Sequence, residues 1–135
     1  MIALKLSAFF LFLTVITADD PKPDPKDAPY RECCVKRGVH DKFLDPSCTY
    51  TGVRAGKNPP LDKDLLADLP AIIECSADGK DNTECCKKAN VPENCLGACN
   101  GSPPIDLLKF GLCRKESKDE HKKVLECYYE NAYNK

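Results

Sequence analysis

The pattern of apolar and polar positions changes character three times along the chain. Met1 to Ala18 carries one charge, Lys5, then an apolar run from Leu6 to Ile16 that closes on the small residues Thr17 and Ala18. This shape predicts a secretory signal peptide over 1–18, cleaved after Ala18. An apolar run of about a dozen residues is too short for a membrane span, which takes roughly 20. Residues 19–29 then place prolines at alternate positions and offer nothing apolar to bury. They predict an extended, solvated lead-in.

From Tyr30 onward the period is helical. Asp27 is placed to cap a short helix through Tyr30–Arg37, with Gly38 as its stop. Asp81, with Glu84 three residues on, forms a capping-box arrangement ahead of Cys85-Cys86, and Asn90 fits a left-handed stop. Leu61, Leu65, Leu66, Leu69, Ile72 and Ile73 share one helical stripe. Pro70 interrupts that stripe, predicting two short helices or a kink before Gly79 ends the element. The clearest helix runs from Ser117 to Tyr133, with Val124, Leu125, Tyr128 and Ala132 on its apolar face and Asp119–Lys123 as an i,i+4 pair. No segment sustains period-two alternation. The expectation is an all-α domain of five to seven short helices with almost no strand.

Composition sharpens this. Removing residues 1–18 takes away Lys5 and no acid, leaving 19 basic and 21 acidic residues and a net charge of −2. No Lys/Arg cluster stands out, so neither nucleic acid nor an anionic membrane surface is a favoured partner, and with no other apolar run approaching the length of a span, no membrane insertion is expected. What remains has the length of one domain, 30–130, followed by a polar tail at 131–135. It divides into halves, 30–75 and 84–127, each too small for a self-sufficient core.

The halves are copies of one cysteine pattern. Glu32-Cys33-Cys34, Val39 and Cys48 recur as Glu84-Cys85-Cys86, Val91 and Cys95; Pro59-Pro60-Leu61-Asp62 recurs as Pro103-Pro104-Ile105-Asp106; Glu74-Cys75 recurs as Glu126-Cys127. All ten cysteines (Cys33, Cys34, Cys48, Cys75, Cys85, Cys86, Cys95, Cys99, Cys113, Cys127) lie beyond the leader. In a secreted chain of this size they predict five disulfides. His40 and His121 sit in no Cys/His metal spacing, so neither a metal nor a cofactor is expected. Adjacent cysteines on a helix point about 100° apart and can staple it to two neighbours. Aligning the copies leaves Cys99 and Cys113 without counterparts, and the simplest account pairs them. Cys33 and Cys34 then reach Cys48 or Cys75, and Cys85 and Cys86 reach Cys95 or Cys127, in either order.

The run Ile72 to Cys86, followed by Val91-Pro92-Glu93-Asn94-Cys95-Leu96-Gly97-Ala98-Cys99, resembles the DB module, a cysteine-rich extracellular module known mainly from nematodes. The resemblance covers about Tyr30 to Tyr128. It implies a secreted or cell-surface interaction module, sometimes found beside immunoglobulin-like or fibronectin-like domains. Family members typically carry twelve cysteines. The resemblance implies that the missing pair belongs to the first copy, one cysteine within Cys48-Thr49-Tyr50-Thr51-Gly52 and its partner between Leu61 and Cys75. Such a joint loss agrees with a Cys99–Cys113 bridge.

No catalytic constellation emerges. Cys33-Cys34 followed by His40-Asp41 is similar to secreted phospholipase A2, but Gly38 ends the helix before His40 and no glycine-rich calcium loop precedes it. His121 is expected to be solvated among Glu120, Lys122 and Lys123. Asp78 to Asn82 lacks EF-hand ligand spacing and reads as a turn with a helix cap. Asn100-Gly101-Ser102 is a formal glycosylation sequon at Asn100, flanked by Cys99 and Pro103. The segment expected to be mobile and free for binding is Thr49–Asn58, where Tyr50, Val53, Arg54 and Lys57 mix aromatic, apolar and cationic groups. The sequence thus points to a secreted, extracellular and monomeric binding module for an extracellular protein or matrix component, and not to an enzyme. A structural matrix or cuticle component and a defence or toxin-like effector are the competing classes.

Overall fold

The structure is a computed structural model that describes residues 22–57 and 59–134, so the leader expected at 1–18 lies outside the described residues. Eight α-helices follow one another: α1 (Asp27–Lys36), α2 (Leu44–Ser47), α3 (Tyr50–Arg54), α4 (Lys63–Ser76), α5 (Thr83–Lys88), α6 (Glu93–Leu96), α7 (Leu107–Glu116) and α8 (Lys118–Asn131). Short 3₁₀ turns at Asp41–Phe43 and Gly97–Cys99 complete the set. Among the described residues there is no strand, only one bridge between Asp81 and Asn100. The domain is all-α and disulfide-rich.

The internal repeat is structural. Helices α1 and α5 carry the vicinal cysteines and end in the same turn. Gly38 (φ +78) and Asn90 (φ +59) take the left-handed conformation. The next amide, of Val39 or Val91, reaches back to the carbonyl of Cys34 (3.1 Å) or Cys86 (2.9 Å). This is a Schellman closure, and both valines are buried behind it. The first cysteine of each pair then staples its helix to a distant one, Cys33 to Cys75 on α4 and Cys85 to Cys127 on α8, each across 42 residues. The second reaches a nearby turn, Cys34 to Cys48 across 14 residues and Cys86 to Cys99 across 13. The fifth bridge is Cys95–Cys113.

These pairings correct the expected Cys99–Cys113 bridge. The counterpart of Cys48 is Cys99, not Cys95, because it is Cys99 that lies nearly the same distance beyond the vicinal pair, 13 residues against 14. Cys95 and Cys113 are therefore the cysteines with no first-half equivalent. Cys95 precedes Cys99 by four residues, as Leu44 precedes Cys48. Cys113 follows Asp106 by seven, as Leu69 follows Asp62. Leu44 is buried in the first-half core and Leu69 packs against it. An apolar pair thus stands where the second half has its fifth disulfide.

Two buried clusters result. The first gathers Tyr30, Phe43, Leu44, Tyr50, Leu65 and Ile72 around Cys34–Cys48 and Cys75. The second gathers Ile73, Val91, Ala98, Val124 and Tyr128 around Cys86–Cys99 and Cys95–Cys113. Helix α4 serves both, since its neighbours Ile72 and Ile73 enter different clusters. Helix α8 does likewise, sending Tyr128 into the second and Ala132, just past its end, into the first. Two tyrosines close the end of α4: the buried Tyr50 donates to the Ser76 carbonyl and the half-buried Tyr133 to that of Cys75, both at 2.6 Å. These carbonyls lie in the last turn, which lacks intrahelical partners.

Several expectations change. Pro70 neither splits nor ends α4, which is one helix of 14 residues. The ring deprives the Leu66 carbonyl of its donor, but Leu66 is half-exposed, so water can replace the bond. The apolar stripe is accordingly narrower than expected, and Leu61 also faces solvent. The lead-in is helical from Asp27, because prolines are tolerated in a first turn whose amides have no partner. Asp27 does not cap its own helix. Its carboxylate accepts from the Tyr50 amide (2.7 Å), the Thr51 amide (3.2 Å) and the Thr51 hydroxyl (2.5 Å), tying α1 to the start of α3. Asp81 accepts from the Thr83 amide (3.0 Å) in a turn before α5, while Glu84 pairs forward with Lys87 instead of closing a capping box. On α8, Lys123 pairs with Glu120 in place of Asp119.

Replacing Asp27 with Ala removes three acceptor contacts at once. Thermal unfolding should show a loss of about 1–2 kcal/mol, with Asp27→Asn retaining more of the stability. An Ala variant as stable as the parent would mean that this link does not hold α3.

Candidate functional site

The segment singled out as a binding loop, Thr49–Asn58, is largely helical over its described part. Thr49 caps α3, its hydroxyl accepting from the Gly52 amide at 3.0 Å. Gly52 is pressed so closely on the Asp45 carbonyl that a β-carbon would overlap it. Tyr50 is buried, with ring centroids 4.7 Å from Tyr30 and 5.0 Å from Tyr129. It belongs to the core and is not free to meet a partner. Val53 is half-buried, and only Arg54 and Lys57 stand clear.

Arg54 is committed internally. Its guanidinium carbon lies 4.1 Å from the centre of the Tyr129 ring, and its nitrogens reach Asp24 and Glu126 at 3.3 Å. Lys26 approaches the same ring at 4.5 Å and donates to the Tyr129 carbonyl at 2.5 Å. Asp24 also accepts from the Tyr129 hydroxyl at 2.8 Å. Burial opposes ionisation of Asp24, but the Lys26 amide, the Tyr129 hydroxyl and Arg54 outweigh it and hold its pKa below the ordinary value. The residues Asp24, Lys26, Arg54 and Tyr129 therefore form a seam that binds the lead-in and α3 to α8.

The two histidines differ. His40 is exposed, and both its amide (2.9 Å) and its Nδ1 (2.7 Å) meet the buried carboxylate of Asp68. That hydrogen bond raises its pKa. His121, expected to be solvated, is buried at 8% exposure and packs edge-on to Phe110 at 4.9 Å. The missed signal is Phe110, on a helix that the apolar pattern does not reveal. Burial, aided by the charge of Arg114, pushes its pKa down to about 4. Among the described residues no three metal-ligating side chains come together.

The accessible features lie elsewhere. Helix α7 starts at Asp106, whose carboxylate accepts from the Lys109 amide at 3.1 Å, as Asp62 does from Leu65 (2.9 Å) at the start of α4. Its inner face supplies Cys113 and Phe110 to the second core. Its outer face carries Leu108 and Leu112, 71% and 43% exposed and one turn apart. Arg114, Lys115 and Lys118 follow, all exposed and in no ion pair among the described residues. Asn100 is exposed, and its Oδ1 accepts from the amide (3.0 Å) and hydroxyl (2.5 Å) of Ser102.

Among the described residues two open grooves flank the vicinal-cysteine helices, one beside each. The larger, about 1150 Å³, runs between α5 and α8 over Cys85–Cys127, and the smaller, about 390 Å³, lies beside Cys33. Their linings correspond: Glu84, Cys85 and Lys88 in one, Glu32, Cys33 and Lys36 in the other.

With this geometry in place, comparison with known proteins is decisive for family. The DB module family model matches residues 33–132, from the first vicinal cysteine to the end of the last helix. The chain belongs to the DB module family. Two similar proteins are Ig-like and fibronectin type-III domain-containing proteins 1 and 2 of Caenorhabditis elegans, each 44% identical over 36 residues. That stretch is 27% of this chain but only 4% and 2% of theirs, so this DB module corresponds to a small part of those proteins. No solved structure matches the chain. No helix among the described residues is long and apolar enough to cross a membrane.

The histidines give this DB module a defined pH response. His121 is neutral in the fold, whereas the unfolded chain takes up its proton below about pH 6.5. Its depressed pKa therefore supports stability above pH 6.5, and that support is lost as pH falls toward 4, by up to about 3 kcal/mol. His40, with a raised pKa, acts in the opposite direction, helping below pH 6.5. Urea midpoints should therefore fall less steeply between pH 7 and 4 in His121→Leu than in the parent. Parallel curves would refute the burial of His121.

Proposed function

We propose that this DB module is an extracellular, non-catalytic binding module whose contact with a partner protein is built on the outer face of α7. Its five disulfides suit an oxidising, extracellular location, and its family supports the role of a cysteine-rich module acting through contact. The observation that carries the reading is the pair Leu108 and Leu112. Two large apolar side chains stand in solvent on one face of a helix that Cys95–Cys113 fastens to the core. A rigid apolar face costs little further ordering when a partner covers it. The adjoining Arg114, Lys115 and Lys118 provide a cationic rim and favour a partner with acidic groups around an apolar centre. The segment around Arg54 is a weaker candidate, since its charge is already met by Asp24 and Glu126.

The test begins with a screen of the oxidised protein against extracellular proteins of its source, followed by affinity measurements on any complex found. Leu108→Asp/Leu112→Asp should weaken that complex by tenfold or more, while Arg54→Ala changes it less than about threefold. Undiminished affinity in the double variant, with its helical content intact, would remove α7 from consideration.

A further inference from the structure

The five disulfides divide into two classes by access. Cys34–Cys48, Cys86–Cys99 and Cys95–Cys113 have both residues fully buried. In Cys33–Cys75 and Cys85–Cys127 the first cysteine is only half-buried, although Cys75 and Cys127 are covered. The same two half-buried residues, Cys33 and Cys85, line the two grooves. Access and concavity therefore coincide at repeat-related positions. We propose that Cys33 and Cys85 are paired sites of thiol–disulfide exchange, open to an external dithiol, while the other three bridges are closed to it.

The step at Cys85 follows from the geometry. A thiolate of the dithiol attacks the Cys85 Sγ from the groove, forming a mixed disulfide. The Cys85–Cys127 bond breaks, and the Cys127 sulfur leaves with the electron pair and takes a proton from solvent. The second thiol of the dithiol then attacks its own sulfur in the mixed disulfide. It departs as a cyclic disulfide, oxidised by two electrons, and Cys85 is left as a thiol. Lys80, Lys88, Lys122 and Lys123 line the approach and favour an anion, while Asp81, Glu84, Glu126 and Glu130 oppose one, Glu130 with its Oε2 3.9 Å from Cys85 Sγ. At Cys33 the lining includes Lys36 and Arg37 together with Glu32 and Asp78. Opening both bridges frees α4 from α1 and α8 from α5, the two helices that the two cores share. The short-range bridges keep each half tied.

The experiment uses the native oxidised protein. It is exposed to graded dithiothreitol without denaturant, quenched by alkylation and mapped by peptide mass spectrometry. Cys33, Cys75, Cys85 and Cys127 should be labelled at reductant levels that leave the other six untouched. In Glu130→Gln, labelling at Cys85 should speed up about threefold, with Cys33 unchanged as the internal control. First labelling at any of the other six cysteines, or simultaneous labelling of all ten, would overturn the proposal. An unchanged rate at Cys85 in Glu130→Gln would show that attack does not come through the groove, and would overturn that site.

Discussion

Everything in this domain depends on one geometric constraint, the placement of two adjacent cysteines on a short helix. Successive residues on a helix diverge by about 100°, so one sulfur reaches the long helix that closes its half and the other a nearby turn of the same half. The chain does this twice. In the chain-entropy model a 42-residue loop closure removes about 4 kcal/mol of unfolded-state freedom and a loop of 13–18 residues about 3. Cores as small as these two cannot outweigh chain entropy unaided. The helices α2, α3, α5 and α6, with six residues or fewer each, are far below the length at which a helix holds alone. They exist because the staples fix their ends.

The long staples also explain why two half-sized cores make one domain. Each ends on a helix that faces both clusters. Residues Ile72 and Ile73 split between the cores because neighbours on α4 diverge just as the vicinal cysteines do. Where α4 ends, tyrosine hydroxyls from α3 and from the region beyond α8 meet the carbonyls of its last turn. These contacts join segments remote in sequence; Tyr50 satisfies the buried Ser76 carbonyl, and Tyr133 adds a second donor to that of Cys75, which also accepts from the Asp78 amide. The Asp24–Tyr129–Arg54 seam adds a lateral tie at the surface, where solvent screening limits its strength.

Much of this was legible in the chain. Local signals held where chemistry is local: Gly38 and Asn90 as left-handed stops, the helix after Ser117, the absence of strands and the repeat itself. Failures arose where long-range packing decides. Tyr50 reads as exposed in a polar segment, yet Thr49 and Asp27 organise that segment into a helix and turn the ring inward. Helix α7 was hidden because its outer leucines blur the apolar stripe, although the Pro-Pro-Ile-Asp motif announces a cap once its Pro-Pro-Leu-Asp twin is seen to start α4. His121 reads as solvated for the same reason, since its cover comes from Phe110 on that helix. The disulfides follow a different logic. The run Val39 to Cys48 finds a false match in the short run from Val91 to Cys95, whereas the separations of 42 residues in both long loops and 14 against 13 in the short ones set the true alignment.

That realignment moves the search for function. With Cys99 matched to Cys48, the staple that the first half lacks lies at Leu44 and Leu69, inside its core. Leu44 and Leu69 fill that place with apolar packing, so no loosened loop follows from the missing staple, and residues 49–57 are held by α3 and its contacts. The half that keeps the extra bridge gains something in exchange: Cys95–Cys113 pins α7 from within, leaving its opposite face with no packing role. A helix held on one side by a covalent bond can carry leucines on the other without depending on them for stability. Binding is then most economically placed on the face that the fold has no need to bury.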